Sequence, residues 1–122
     1  MRIFNTLTGS KDLFEPLENN KIKMYICGMT VYDDTHIGHA RTFVSFDVIV
    51  RYLRSIDYEV QYIRNITDVD DKILDRSKEL AIDPIELTEK YIESMQDDFL
   101  SLNMIKPDAE PRATHNLSLI HI

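Results

Sequence analysis

The stretch Tyr25–Arg41, YICGMTVYDDTHIGHAR, decides the reading of this chain. It holds the only cysteine, Cys27, two of the three glycines, Gly28 and Gly38, and two of the four histidines, His36 and His39. An apolar strand-like run leads in and a long apolar helix-like run leads out. A short glycine-containing turn between a strand and a helix is where an α/β protein binds phosphate. The first N–H groups of the helix lack partners and carry partial positive charge.

Upstream of this turn, Lys21–Cys27 (KIKMYIC) alternates at first and then becomes almost continuously apolar. That pattern predicts a strand buried on both faces, as in a parallel sheet. Downstream, Gly38–Ser55 is helical in period. Phe43, Phe46, Val50 and Leu53 step by three, four and three, forming one stripe. Val44, Val48 and Ile49 widen it, predicting burial on more than one side, while Arg51 and Arg54 mark the wetter face. Tyr58–Ile66 (YEVQYIRNI) is rich in β-branched and aromatic residues and predicts the second strand. Strand, long helix, strand is a parallel βαβ unit. The intervening Met29–Thr35 is a loop, with Thr30, Asp33, Asp34 and Thr35 as candidate caps.

Further out, residues 1–20 read as an N-terminal hairpin or extension, with a turn at Thr8-Gly9-Ser10. Thr67-Asp68-Val69-Asp70 fits a capping pattern, with Thr67 as N-cap of a helix running to about Leu80. Asp83-Pro84-Ile85-Glu86 starts another helix, with Asp83 as N-cap. Its stripe is Ile85, Ile92, Met95, Phe99 and Leu102. Pro107 and Pro111 confine the next stretch to extended or turn structure. Asp68, Asp70 and Asp71 suggest a metal triplet, but acidic residues in a first helical turn are the plainer reading.

The bulk numbers bound the function. A chain of 122 residues fits one domain. No apolar run reaches membrane-span length and the N-terminus lacks a secretory h-region, so no membrane partner is expected. A single cysteine suits a reducing compartment and points to the cytoplasm. The formal net charge of −7, from 14 basic and 21 acidic residues, argues against this segment as a main nucleic-acid surface. The last six residues, LSLIHI at 117–122, back-translate to CTGTCTCTTATACACATC, a sequencing-adapter end. They are read as an artefact appended near Asn116, which leaves 21–116 as the first part of the main domain.

The four letters HIGH at 36–39 follow a predicted strand and open a predicted helix within a βαβ unit. Here the sequence resembles the class I aminoacyl-tRNA synthetases, and among them the cysteinyl-tRNA synthetase family. The resemblance rests on four blocks in order: IFNTLT at 3–8, MYICGMTVYDDTHIGHARTFVSFDVI at 24–49, YIRNITDVDDKI at 62–73 and LNMIKPDAEPRATH at 102–115. It implies the N-terminal, incomplete part of a Rossmann-like catalytic domain. It implies an enzyme that activates L-cysteine with ATP and transfers it to tRNA(Cys).

Residue by residue, the resemblance gives His36 and His39 a catalytic role on the ATP phosphates. Gly38 would admit the nucleotide, and Thr30 would contact substrate or nucleotide. Gly28 and Thr67 would line the cysteine pocket. Cys27 would be one of four Zn2+ ligands, with Mg2+ accompanying ATP. Zinc prefers sulfur and deprotonates a bound thiol, so a zinc site would select cysteine over serine. The family's other zinc ligands and its second signature, KMSKS, have no match here and are expected beyond residue 122. Neither His115 nor His121 matches a ligand, and Arg112–His115 matches without an assignable role. Two alternatives stand beside this reading. One is a cysteine ligase of mycothiol synthesis, in which a proline is expected where Val31 stands. The other is an inactive fragment with at most weak nucleotide binding.

Overall fold

The computed structural model describes residues 1–119, so the last part of the 117–122 reading lies outside the described residues. The chain begins with the expected hairpin: β1 (Arg2–Asn5) pairs antiparallel with β2 (Ser10–Leu13). Asp12 accepts from the hydroxyls of Ser10 and Thr8, each at 2.7 Å, and these bonds hold its carboxyl below the usual range. Phe14 meets Tyr58 edge-to-face at 6.3 Å, linking the hairpin to the body.

The predicted βαβ unit is present. Strand β3 (Lys21–Ile26) pairs parallel with β4 (Glu59–Arg64), from Lys21 opposite Glu59 to Ile26 opposite Arg64. Helix α1 (Ile37–Ser55) forms the crossover. The segment 108–113 adds to the other edge of β4. Asp108 N donates to Tyr62 O, Arg64 N to Ala109 O, Ile66 N to Pro111 O, and Ala113 N to Ile66 O. Pro107 precedes this extended run and Pro111 lies within it, as their fixed φ allows. Helices α2 (Asp71–Leu80) and α3 (Pro84–Ser101) bridge β4 and this run.

Four expectations are corrected. Strand β3 buries Ile22 and Ile26 but leaves Lys23 and Tyr25 exposed, so one face is covered rather than two. Helix α1 buries Phe43, Asp47, Val50 and Leu53, whereas Val44, Val48 and Ile49 are exposed. Among the described residues only one side of α1 meets packing partners, so the wider stripe is not used. The N-cap of α2 is Asp70, whose Oδ1 accepts from Lys72 N at 2.9 Å, and not Thr67. Thr67 is held in the sheet instead, bridged to Thr30. On α3 the buried positions are Leu87, Thr88, Tyr91, Ile92, Met95 and Phe99, while Ile85 and Leu102 are exposed. Those two lie at the ends of the helix, off the stripe that faces the sheet. The start of α3 is as predicted: Asp83 caps the N–H groups of Ile85 and Glu86.

The core lies between the sheet and the helices, around Val31, Val50, Tyr62, Ile73, Leu87 and Met95. Phe43 of α1 and Phe99 of α3 meet at 5.1 Å between ring centroids. Against both rings β4 sets Arg64, 4% exposed, which pairs with Glu110 through Nε at 3.0 Å and Nη2 at 2.5 Å. Its guanidinium carbon stands 4.5 Å from the Phe99 ring centre and 5.2 Å from that of Phe43. A buried charge is tolerated only when paired in this way.

Candidate active site

The predicted site residues fall in two groups at the C-terminal ends of the parallel strands, joined by the loop that follows β3. Ligands of open α/β sheets bind at this end.

The first group closes β3 onto β4. Regular pairing stops at Ile26 and resumes beyond Gly28, where Thr67 N donates to Met29 O and Val31 N to Thr67 O, each at 3.2 Å. In the gap, Gly28 N donates to the side-chain Oδ1 of Asn65 at 2.7 Å. A Cβ on Gly28 would lie 1.7 Å from the Asn65 carbonyl oxygen, so only glycine permits this approach. Asn65 Nδ2 in turn donates to Thr67 Oγ1 at 3.2 Å. Gly28, Thr30 and Thr67 are therefore brought together, all partly buried. Cys27, beside them, is exposed, with Sγ 3.6 Å from Gly28 O. An open thiol is a fit donor for zinc. Among the described residues no group of three His, Cys, Asp or Glu side chains is placed to hold a metal ion.

The second group opens α1. His36 is the N-cap, and its Nδ1 accepts from Gly38 N at 3.0 Å. His39 Nδ1 accepts from His36 N at 3.3 Å. The H-x-x-H spacing thus makes a reciprocal cap, with imidazoles in the places usually taken by Ser and Glu. The rings stack at 3.9 Å. A Cβ on Gly38 would meet the His36 ring at 2.8 Å, so this glycine makes room for the cap. With both Nδ1 atoms accepting, a neutral ring carries its proton on Nε2, where it can donate. Burial, and then the neighbouring His36, lower the His39 pKa below its ordinary value, which favours that neutral form.

The loop between the groups is stitched to two helices, which the sequence reading missed. Asp33 pairs with Arg76 of α2 at 3.5 Å. Ser94 of α3 donates to Asp34 at 3.1 Å, and Thr35 donates to Asp98 of α3. The expected caps of this loop are anchors instead. Arg112 and Thr114 also gain a place. Arg112 forms a two-pronged pair with Glu89 of α3 and lowers its pKa. Asp68 accepts from Thr114 N at 2.9 Å and from Thr114 Oγ1 at 2.5 Å. Asp71 lies in the first turn of α2 and Asp70 caps it, in line with the plainer reading of that acidic run, whereas Asp68 stands before the helix and holds Thr114 instead. Asn65 was also missed. Its one local signal is a short amide side chain immediately after a strand, level with the Cys-Gly end of the neighbouring strand.

Comparison with known proteins adds the family. The model of the tRNA synthetase class I (C) catalytic domain matches residues 13–121. The chain is 55% identical over 117 residues to the cysteine–tRNA ligase of Haemophilus influenzae (strain PittGG), covering 96% of this chain and 26% of that protein. It is 56% identical over 117 residues to the cysteine–tRNA ligase of Pasteurella multocida (strain Pm70), with the same coverage. Against that of Klebsiella pneumoniae (strain 342) it is 52% identical over 120 residues, covering 98% of this chain and 26% of the relative. The chain therefore spans about a quarter of the length of these curated relatives.

Proposed function

Because the chain belongs to the class I (C) tRNA synthetase catalytic-domain family, we propose that it is the first part of a cysteine–tRNA ligase. The observation that carries this is the reciprocal histidine cap at the start of α1. It sits next to a strand end that presents an open thiol.

Two steps make up the reaction. A carboxylate oxygen of L-cysteine attacks the α-phosphorus of ATP, and pyrophosphate leaves with the bridging oxygen. The terminal ribose hydroxyl of tRNA(Cys) then attacks the adenylate carbonyl, its proton is lost to solvent, and AMP leaves. Negative charge grows on the phosphoryl oxygens in the first step. His36 and His39, each with Nδ1 occupied, would turn Nε2–H toward those oxygens. The N–H groups at the start of α1 that the cap leaves without a partner, and the helix dipole, add to the field. Gly38 and Thr30 would flank the nucleotide, and Mg2+ would accompany it as part of the substrate.

Cys27 would supply one Zn2+ ligand, the remainder coming from the rest of the ligase. Bound zinc would hold the substrate sulfur as thiolate. Gly28 and Thr67 would form the wall behind the amino acid. The relatives named above are cysteine–tRNA ligases, which favours tRNA over an amino-sugar as acceptor.

Cysteine-dependent ATP–pyrophosphate exchange and charging of tRNA(Cys) by the full-length protein test this reading. Exchange without charging of any tRNA would refute it in favour of another acceptor. The 122-residue chain alone is expected to be inactive in the same assay, since it brings one of the four implied zinc ligands and no KMSKS sequence.

A further inference from the structure

Resting on the ligase reading above, we infer that Asn65 is a positioning residue that fixes the Thr67 hydroxyl as a donor to the substrate carboxylate. The orientation of the Asn65 amide follows from chemistry. Its partner on one side is the backbone N–H of Gly28, which can only donate, so Oδ1 faces Gly28 at 2.7 Å. The NH2 group then necessarily faces Thr67 Oγ1, at 3.2 Å. A hydroxyl oxygen that accepts from Asn65 keeps its own proton for another partner. Among the described residues, the Thr67 hydroxyl donates to no protein acceptor.

The rest of Thr67 is already committed. Its N–H donates to Met29 O and its carbonyl accepts from Val31 N. The side-chain proton is what remains for a ligand. On an amino-acid zwitterion the carboxylate is the strong acceptor. The same amide holds Gly28 against the carbonyl of residue 65, so a single side chain sets both the width of the strand gap and the direction of the donor.

The experiment uses the full-length protein, with cysteine-dependent pyrophosphate exchange as the readout. Asn65→Ala is expected to raise KM for cysteine about tenfold, the worth of one hydrogen bond, with KM for ATP within about twofold. Thr67→Val should give a similar rise. The double variant should be no worse than the poorer single, because both act through one hydroxyl. Asn65→Asp keeps an acceptor for Gly28 but captures the Thr67 proton. It should keep the wild-type melting temperature and lose cysteine affinity.

A merely structural Asn65 would move both KM values together or multiply with Thr67→Val, and either result overturns the inference. So does Asn65→Asp with wild-type cysteine KM. Hydrogen exchange at the Gly28 amide reads the bridge without activity: protection should fall in Asn65→Ala and persist in Asn65→Asp. Unchanged protection in Asn65→Ala overturns the bridge. A wild-type protein with no cysteine-dependent exchange overturns the ligase reading and, with it, the assignment of the carboxylate.

Discussion

Removing Glu110 should loosen the sheet at its centre. The Arg64 side chain is 5% exposed and that of Glu110 is 12% exposed, so neither charge is well screened by water. Glu110→Ala leaves the guanidinium buried against Phe43 and Phe99 without its paired carboxylate. Breaking a buried pair from one side costs about 3–5 kcal/mol. The two ring faces stay in place and can retain about 1–2 kcal/mol of cation attraction, so the lower end, about 3 kcal/mol, is expected. The amides of Arg64 and Ile66 bond to the carbonyls of Ala109 and Pro111, on either side of Glu110, and report on this site. Their hydrogen-exchange protection in the full-length protein should fall about a hundredfold, the equivalent of roughly 3 kcal/mol. Replacing the whole pair, with Arg64→Met and Glu110→Leu together, removes both desolvation costs and should restore most of the protection. Protection within about threefold of wild type in Glu110→Ala, or a double variant no better than the single, would refute the argument.

Two further outcomes follow from the site. Gly28→Ala would place a methyl 1.7 Å from the Asn65 carbonyl. Neither atom is the end of a flexible side chain, so the strands must part, at a cost of about 1–3 kcal/mol or more. A lower melting temperature together with loss of cysteine-dependent exchange is expected, and an unchanged melting temperature would contradict the close approach. His39 is held below the ordinary imidazole value of 6.5, first by burial and then by His36. A group that binds its proton more weakly folded than unfolded contributes stability that is full above 6.5. That contribution is lost as pH falls from there toward the folded value. An NMR titration of the His39 ring in the folded protein should give a midpoint below 6.5, and a midpoint above it would sink this account.

Periodicity made most of the fold legible, because it reports each element's own burial. The three-and-four spacing of Phe43, Phe46, Val50 and Leu53 gave α1, and Asp83-Pro84 gave the start of α3. Burial on a second side of α1 did not follow, since period alone does not say which partner covers a face. The cap of α2 was misplaced because Thr67 and Asp70 both satisfy a capping pattern, and only the bridge from Thr67 to Thr30 decides between them. The histidine cap was within reach: H-x-x-H has the spacing of a capping box, and the rings were read only as phosphate ligands. Asn65 and the loop anchors were out of reach. Their partners lie 37, 43, 60 and 63 residues away, and no local pattern encodes such a pairing.

Those long-range ties share one location. The bonds from Asn65 to Gly28, Asp33 to Arg76, Asp34 to Ser94, Thr35 to Asp98 and Asp68 to Thr114 all gather beyond the C-terminal ends of β3 and β4. The apolar core runs from under the strands to this same end, where Met29, Val31 and Ile66 belong to it. Apolar packing is non-directional and fixes volume better than angle. Hydrogen bonds fix direction, and each is worth only about 1 kcal/mol net. Other long-range side-chain bonds, from Ile105 N to Asp47, Arg51 to Asn103 and Arg64 to Glu110, brace the body of the fold, whereas the five at this end brace loops. On the proposed ligase reading, a site that must hold a thiol, a hydroxyl and two imidazoles at set angles gains what packing cannot supply. The loop between Cys27 and His36 is therefore held from three sides, by Asn65 after β4, by Arg76 of α2 and by Ser94 and Asp98 of α3. The spacing of the two half-sites is set by parts of the chain remote from either signature.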